Sequence, residues 1–338
     1  MKIAITDIYG KLYENDKIFD LNACNIGENL LAPVIELKNR LEKEGHEYHT
    51  LDMYSWDEID KVIFQEVPDS IYTLASCKNK AKCILKYLLR KDRLYKAVKI
   101  LKPKDRILLL MEPPAVARRS YDKKNHRFFG KILTWDDDLV DGRKYIKFFY
   151  PQPVPDKRVY LDFSEKKDLV MICGNKTSDH PDELYSARKK MIEYFEDKKY
   201  GFDLYGFGWE SENYKNYKGS VKKKLITLSK YKYSICFENQ HNVNGYITEK
   251  IFDCFFSNCV PVYWGAENIA EYIPNDTFID WRQFSSIDEM IEFLKKIDEK
   301  EYDKYLDNIE KFLNSGKFYD YFSIEAYIRN MKKVILTS

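Results

Sequence analysis

The chain lacks the spacings on which protein zinc sites are usually built: no CxxC among its seven cysteines, no HxxxH or HxH among its five histidines. A zinc centre is therefore not expected. It has no run of about eighteen apolar residues, so no bilayer-spanning helix is expected. The opening MKIAITDIYG reads as a strand, not as a charged stub before a long apolar run, and no secretory leader is expected. Internal repeats and low-complexity tracts are missing too. The cysteines (Cys24, Cys77, Cys83, Cys173, Cys236, Cys254, Cys259) are odd in number and show no pairing pattern. Several sit in apolar runs as small core residues do, which points to a reducing compartment. An excess of charge of one sign is also missing, with a formal net charge of +2, and no nucleic-acid-binding module is recognisable. Nucleic acid is not an expected partner.

What is present is a globular composition of 338 residues, 44% hydrophobic and 33% charged, a length suited to two α/β domains. Tyrosine (27) and phenylalanine (20) are abundant; such rings stack on sugar C–H faces, and cores use them equally. In the first third, residues 3–5, 48–51, 106–111 and 129–135 read as strands, and 31–44 as a helix ending at Gly45. The Pro-rich stretch 151–158 reads as a linker between domains at 1–155 and 156–338. A second α/β block starts at Leu169, and a last helix near 323–335 is placed to pack back on the first domain.

Residues 231–265 carry the chemistry. A strand at 233–237 ends in Glu238-Asn239, a loop with Gly245 and Tyr246 follows, and a helix opens at Thr248-Glu249-Lys250. A second strand, 260–264, closes on Gly265. Strand, polar loop, capped helix and strand make one βαβ unit of a parallel sheet, whose ligands bind beyond the carboxyl ends of the strands. The helix start offers unpaired N–H groups to a phosphate. Lys250 in the first helical turn opposes the helix dipole, so an anion is expected near it. Glu249 is ordinary first-turn chemistry with Thr248 as N-cap, but a carboxylate there also accepts ribose hydroxyls. Glu238 reads equally well as a structural carboxylate holding the loop.

The run FEN, then GYITEK, then VPVYWG with an acidic residue soon after, resembles the donor-binding core of the α1,3-fucosyltransferase family. Residues 169–175, Arg188 and FDLYG at 202–206 keep that family's spacing. The resemblance runs over roughly 105–285, is strongest over 225–285, and is not visible before that. It implies a GT-B type glycosyltransferase, with two Rossmann-like domains facing across a cleft. Residues 1–155 would hold the acceptor and 156–338 the nucleotide sugar. It implies inverting transfer of fucose from GDP-fucose to a hydroxyl of a galactose- or N-acetylglucosamine-containing glycan. Arg188, Asn239, Tyr246, Glu249 and Lys250 would bind the donor, supported by Glu238, Gly245 and Thr248. No cofactor is obligatory on this reading, and a divalent metal is at most stimulatory. Two rivals are a same-fold enzyme with another nucleotide sugar, and a non-catalytic protein that binds glycans or lipid surfaces.

An inverting transfer needs a carboxylate to take the acceptor proton. The resemblance places it at a strand end, where this chain has Glu112; the family usually follows the base with Asn, whereas Met111-Glu112-Pro113-Pro114 departs from that. The alternative is the run Asp136-Asp137-Asp138, which also invites a metal-binding reading but suits the capping of a turn. Residues 78–106 hold twelve Lys/Arg against Asp92 and Asp105, with apolar residues near helical spacing. They read as solvated surface helices, or as a surface for anionic lipid headgroups or a phosphate-linked acceptor. The expected location is cytoplasmic, peripheral on the inner membrane face, acting on glycans for protein glycosylation or lipopolysaccharide before export. The expected partners are a nucleotide-sugar donor and a glycan acceptor that is free or lipid-linked.

Overall fold

The structure is a computed structural model that describes residues 1–6, 12–23, 29–196, 200–210 and 212–337. The chain divides into two compact units, Met1–Pro153 with Ile324–Ser338, and Val154–Ser323. The division falls inside the Pro-rich stretch. The segment 324–338 is part of the first unit, so the second ends at Ser323 and not at the chain's last residue.

The first unit is built on six parallel strands: β1 (Lys2–Thr6), β2 (Glu47–Thr50), β3 (Lys61–Gln65), β4 (Arg106–Leu110), β5 (Lys131–Thr134) and β6 (Tyr145–Lys147). Their order in the sheet is β2-β1-β3-β4-β5-β6. Every residue of β4 is buried, because a parallel strand is covered on both faces. Leu108 and Leu110 join Phe64 and Phe129 in one core, while Ile107 and Leu109 join Ile3, Ile63 and Leu133 in the other. That alternation is the period of two that a pleated strand imposes. The helix Ala32–Lys43 covers the second core with Leu37 and Leu41. The helix Ile324–Leu336 adds Ile328, Met331 and Ile335 to that same core, and Arg40 pairs with its Glu325 at 2.8 Å. Residues 78–106 form two helices, Lys80–Leu88 and Arg93–Ile100, before β4.

The second unit holds five parallel strands: β7 (Lys167–Ile172), β8 (Phe202–Tyr205), β9 (Tyr231–Phe237), β10 (Val260–Trp264) and β11 (Ile279–Asp280). Their order is β11-β10-β9-β7-β8. The chain steps outward from β7 to β8, then returns to lay β9, β10 and β11 on the other side of β7. The direction of winding therefore reverses between β7 and β9, the switch point at which open parallel sheets bind ligands. Leu169, Met171, Ile235, Phe237 and Val262 form the core, with Met191 and Phe195 from the helix Tyr185–Glu196.

Two cysteines correct the expectation of unpaired thiols. Cys77 and Cys83 are joined by a disulfide; Cys173, Cys236, Cys254 and Cys259 are free, and Cys24 lies outside the described residues. The link spans six residues, a separation with no sequence signature of its own. Among the described residues no helix is long and apolar enough to cross a membrane.

Candidate active site

Glu238 follows β9 directly and is fully buried. Its N–H donates to the Trp264 carbonyl at 2.8 Å, extending the ladder with β10. Its carboxylate accepts from the Thr248 N–H at 2.9 Å and from the Thr248 hydroxyl at 2.8 Å, and pairs with Lys250 Nζ at 3.1 Å. Thr248 is in turn the N-cap of the helix Glu249–Phe256. One buried carboxylate thus ties the end of β9 to the start of that helix. Gly245 lets the intervening loop turn at φ +84°, and its N–H donates to Asn268 Oδ1 at 2.8 Å. Gly265 leaves the room Glu238 needs: a Cβ there would lie 2.5 Å from the glutamate's Cγ.

Lys250 therefore has an anion within the chain. Burial alone would lower its pKa, but Glu238 and Glu249 outweigh that and raise it. Glu249 lies 3.5 Å from the same ammonium. Against the upward push of burial, Lys250 and Lys224 hold the Glu249 carboxyl down at about 2. It is ionised at any working pH and suited to accept hydroxyl hydrogen bonds.

Arg188 comes from the helix Tyr185–Glu196 and is only 5% exposed. Its Nη2 donates to the Phe237 carbonyl at 2.6 Å and to Asn239 Oδ1 at 3.1 Å. The Asn239 amide then donates to the Tyr246 hydroxyl at 3.3 Å. Arg188, Asn239 and Tyr246 are thus one connected chain at the end of β9. Among the described residues no carboxylate pairs with Arg188. Burial pushes the Cys173 thiol, at the end of β7, up to about 11, and Arg188 and Lys250 pull against it. Both cations therefore act on the switch point.

Sequence reasoning missed Lys224 and Asp253. Lys224 pairs with Asp253 at 2.5 Å, and burial pushes the Asp253 carboxyl up to about 6 while Lys224 opposes it. The available signal was the helical spacing of Glu249 and Asp253, which puts both on one face of the helix.

In the first unit Glu112 follows β4 by two residues. Its N–H donates to Glu66 Oε1 at 2.8 Å, and its carbonyl accepts from the Tyr121 hydroxyl at 2.9 Å. Both polar backbone groups of Glu112 are pinned by side chains, which fixes where its carboxylate starts from. Glu66 was also missed; it follows β3, itself unread because only Val62, Ile63 and Phe64 separate Lys61 from Gln65. Asp136 Oδ1 accepts the Asp138 N–H at 3.0 Å, the turn-capping use of such a run, and Asp137 pairs with Lys147 at 2.6 Å. Burial raises the Asp136 carboxyl. Among the described residues, the cluster of metal-ligating types is Asp69, Cys77 and Cys83. Its thiols are spent on the disulfide, and its carboxylate on Arg119 and Lys86.

Two doubly wound parallel units, one with a cation-lined helix start at its switch point, have the build of a GT-B glycosyltransferase. The chain matches the crystal structure of an α1,3-fucosyltransferase with GDP-fucose at a TM-score of 0.56 and 18% identity, covering 100% of this chain and 91% of that one. At that identity the likeness is one of fold. Residues 163–322 match the glycosyltransferase family 10 (fucosyltransferase) C-terminal family model. It is 39% identical over 105 residues to the α-(1,3)-fucosyltransferase FucT of Helicobacter pylori, across 30% of this chain and 22% of that protein. It is 31% identical over 137 residues to the mouse 4-galactosyl-N-acetylglucosaminide 3-α-L-fucosyltransferase 9, across 40% of this chain and 34% of that protein. Both alignments span well under two thirds of the relatives' own lengths.

Proposed function

We propose that the protein is an inverting fucosyltransferase that moves fucose from GDP-fucose to a hydroxyl of a galactose- or N-acetylglucosamine-containing glycan. The observation that carries this is Arg188, a buried guanidinium whose acceptors are a carbonyl and an amide, with no carboxylate beside it among the described residues. A buried charge is costly unless an opposite charge joins it. A diphosphate at the start of the helix Glu249–Phe256 supplies that charge and meets Lys250 and the helix N–H groups as well. The choice of GDP-fucose and of the acceptor class follows the names of the relatives and of the matching crystal structure.

In the proposed displacement an acceptor oxygen forms its bond to the anomeric carbon as the bond to the β-phosphate oxygen breaks. The electron pair leaves with GDP, the acceptor proton passes to the Glu112 carboxylate, and attack from the opposite side inverts the centre. Arg188 and Lys250 stabilise the charge growing on the diphosphate, at about 3–4 kcal/mol for a well-placed donor. Glu249 accepts from the ribose hydroxyls, and Asn239 and Tyr246 hold Arg188 in place. No metal is needed in this scheme, because two cations and a helix start share the neutralisation. A cytoplasmic location and a lipid-linked acceptor belong to the same proposal.

Thermal unfolding with a panel of nucleotides and nucleotide sugars in chelator tests the donor, and mass spectrometry of N-acetyllactosamine incubated with GDP-fucose tests the transfer. GDP and GDP-fucose at about a hundred times their dissociation constant should add roughly 2.7 kcal/mol, and uridine nucleotides far less. Preference for a uridine nucleotide sugar would select the same-fold rival. An absolute requirement for Mn²⁺ or Mg²⁺ would overturn the metal-free scheme and return Asp136, Asp137 and Asp138 as ligands.

A further inference from the structure

The helix Lys80–Leu88 carries its apolar stripe on the outside. At about 100° per residue, Ala81, Ile84, Leu85 and Leu88, continued by Leu89, line one face. All five are exposed, Leu88 to 67%. The opposite face holds Cys83, which is 0% exposed and joined to Cys77. Beside it Lys86 pairs with Asp69 at 3.3 Å, and Tyr87 stands edge-on to Tyr95 with ring centroids 5.0 Å apart. An ordinary surface helix buries its apolar face and shows its polar one to water. This helix is clamped by its cysteine and lysine side and does the reverse.

Charge surrounds the stripe. Lys80 and Lys82 flank it on either side, and Lys78, Arg90 and Lys91 stand exposed at its two ends. Of the two acids in the stretch, Asp92 is buried and accepts from the Ser70 hydroxyl and the Ile71 N–H, so it does not offset the exposed cations. We propose that this face docks on an anionic lipid bilayer. Ile84, Leu85, Leu88 and Leu89 would enter the boundary between headgroups and acyl chains, and the flanking cations would meet acidic headgroups. A nucleic acid would use the cations but has nothing for an aliphatic stripe. A second copy of the chain would cover the stripe but would set the same cations against one another.

The test is flotation of the whole protein with vesicles of phosphatidylcholine, with and without phosphatidylglycerol. The expected result is binding to the phosphatidylglycerol vesicles alone and release as salt rises, since screening shortens the reach of charge to about 8 Å at physiological ionic strength. Replacing Lys78, Lys80 and Lys91 by Ser should lower partitioning about a hundredfold, at roughly fivefold per cation. The double variant Leu85→Ser with Leu88→Ser should lower it at least about tenfold and leave GDP binding unchanged, because both side chains already face water. Equal binding to neutral vesicles, or no loss in either variant, would overturn the proposal. So would concentration-dependent self-association that the leucine variant abolishes without any vesicle binding. The assay needs neither donor nor acceptor, so its outcome is independent of the transferase assignment.

Discussion

Glu66 Oε1 accepts the N–H of Glu112 at 2.8 Å and that of Met111 at 2.6 Å, so a buried carboxyl at the end of β3 fixes the end of β4. Glu66 itself sits at φ +63°, a left-handed conformation uncommon for a residue with a Cβ. Burial pushes its carboxyl up to about 7 despite the two N–H groups it accepts from. A strained, hard-to-ionise residue thus holds the backbone of the proposed base.

The Glu66 carboxyl therefore makes stability depend on pH. Its folded pKa of about 7 lies above the ordinary 4.5, so the folded state holds the proton more tightly than the unfolded one. The resulting stability is fully present below the ordinary value and is lost as pH rises through about 7. Glu66→Gln keeps an acceptor and removes the titration. Melting temperatures measured from pH 5 to pH 8 should shift in favour of the Gln variant as pH rises. Parallel curves would mean that Glu66 is ionised throughout. Glu66→Ala should cost about 1–3 kcal/mol at pH 5, the penalty for stranding buried donors, and less as pH rises through about 7.

The pair of Glu238 and Lys250 makes a second prediction. Glu238 is fully buried and has Lys250 as its counter-ion at 3.1 Å, so Lys250→Met leaves a buried carboxylate uncompensated. Stability of the ligand-free protein should fall by about 3–5 kcal/mol, and turnover with it. Adding Glu238→Gln removes the uncompensated charge. Denaturant unfolding of the double variant should recover most of the loss, while transfer stays abolished. Recovery of both together would make Lys250 a structural residue with no part in the chemistry.

Strand β10 was read at 260–264 and lies there, and the helix expected at Thr248 starts there, because both signals are local. An apolar run closed by Gly265 and a threonine N-cap need no knowledge of the rest of the fold. The anion expected near Lys250 was legible from the helix dipole, but its identity was not, since the path of the loop that brings Glu238 back is a tertiary fact. Glu66 and the Cys77–Cys83 link were hidden for the same reason: each partner is chosen by how strands and helices stack. The helix Ile324–Leu336 has an apolar stripe that predicts burial.

Arg188 gives a third prediction, in binding. Arg188→Ala should raise the dissociation constant for GDP at least tenfold, about 1.4 kcal/mol, as measured by calorimetry in chelator. Arg188→Lys should recover part of that, because a lysine keeps the charge but lacks the planar guanidinium that meets a phosphate through two donors at once. Unchanged affinity in the Ala variant would remove the diphosphate from this end of β9.

The last prediction concerns Glu112 itself. Its N–H and carbonyl are held by Glu66 and Tyr121, so Glu112→Gln should keep the backbone, the side-chain shape and the fold. The proton acceptor is lost. Transfer to the acceptor should then fall by about 10²–10⁴-fold, the usual share of general-base catalysis. Affinity for GDP should not move, because every residue assigned to the donor lies in the second unit. Donor hydrolysis is the informative control: water needs a base as an acceptor hydroxyl does, so slow hydrolysis should fall in step with transfer. Activity of the native protein should drop on the acidic side of its pH–rate profile as the base becomes protonated, and the Gln variant should lose that limb. A Gln variant with near-native turnover would move the base to Asp136, whose carboxyl burial raises, and would leave Glu66 and Tyr121 holding a strand end with no chemistry on it.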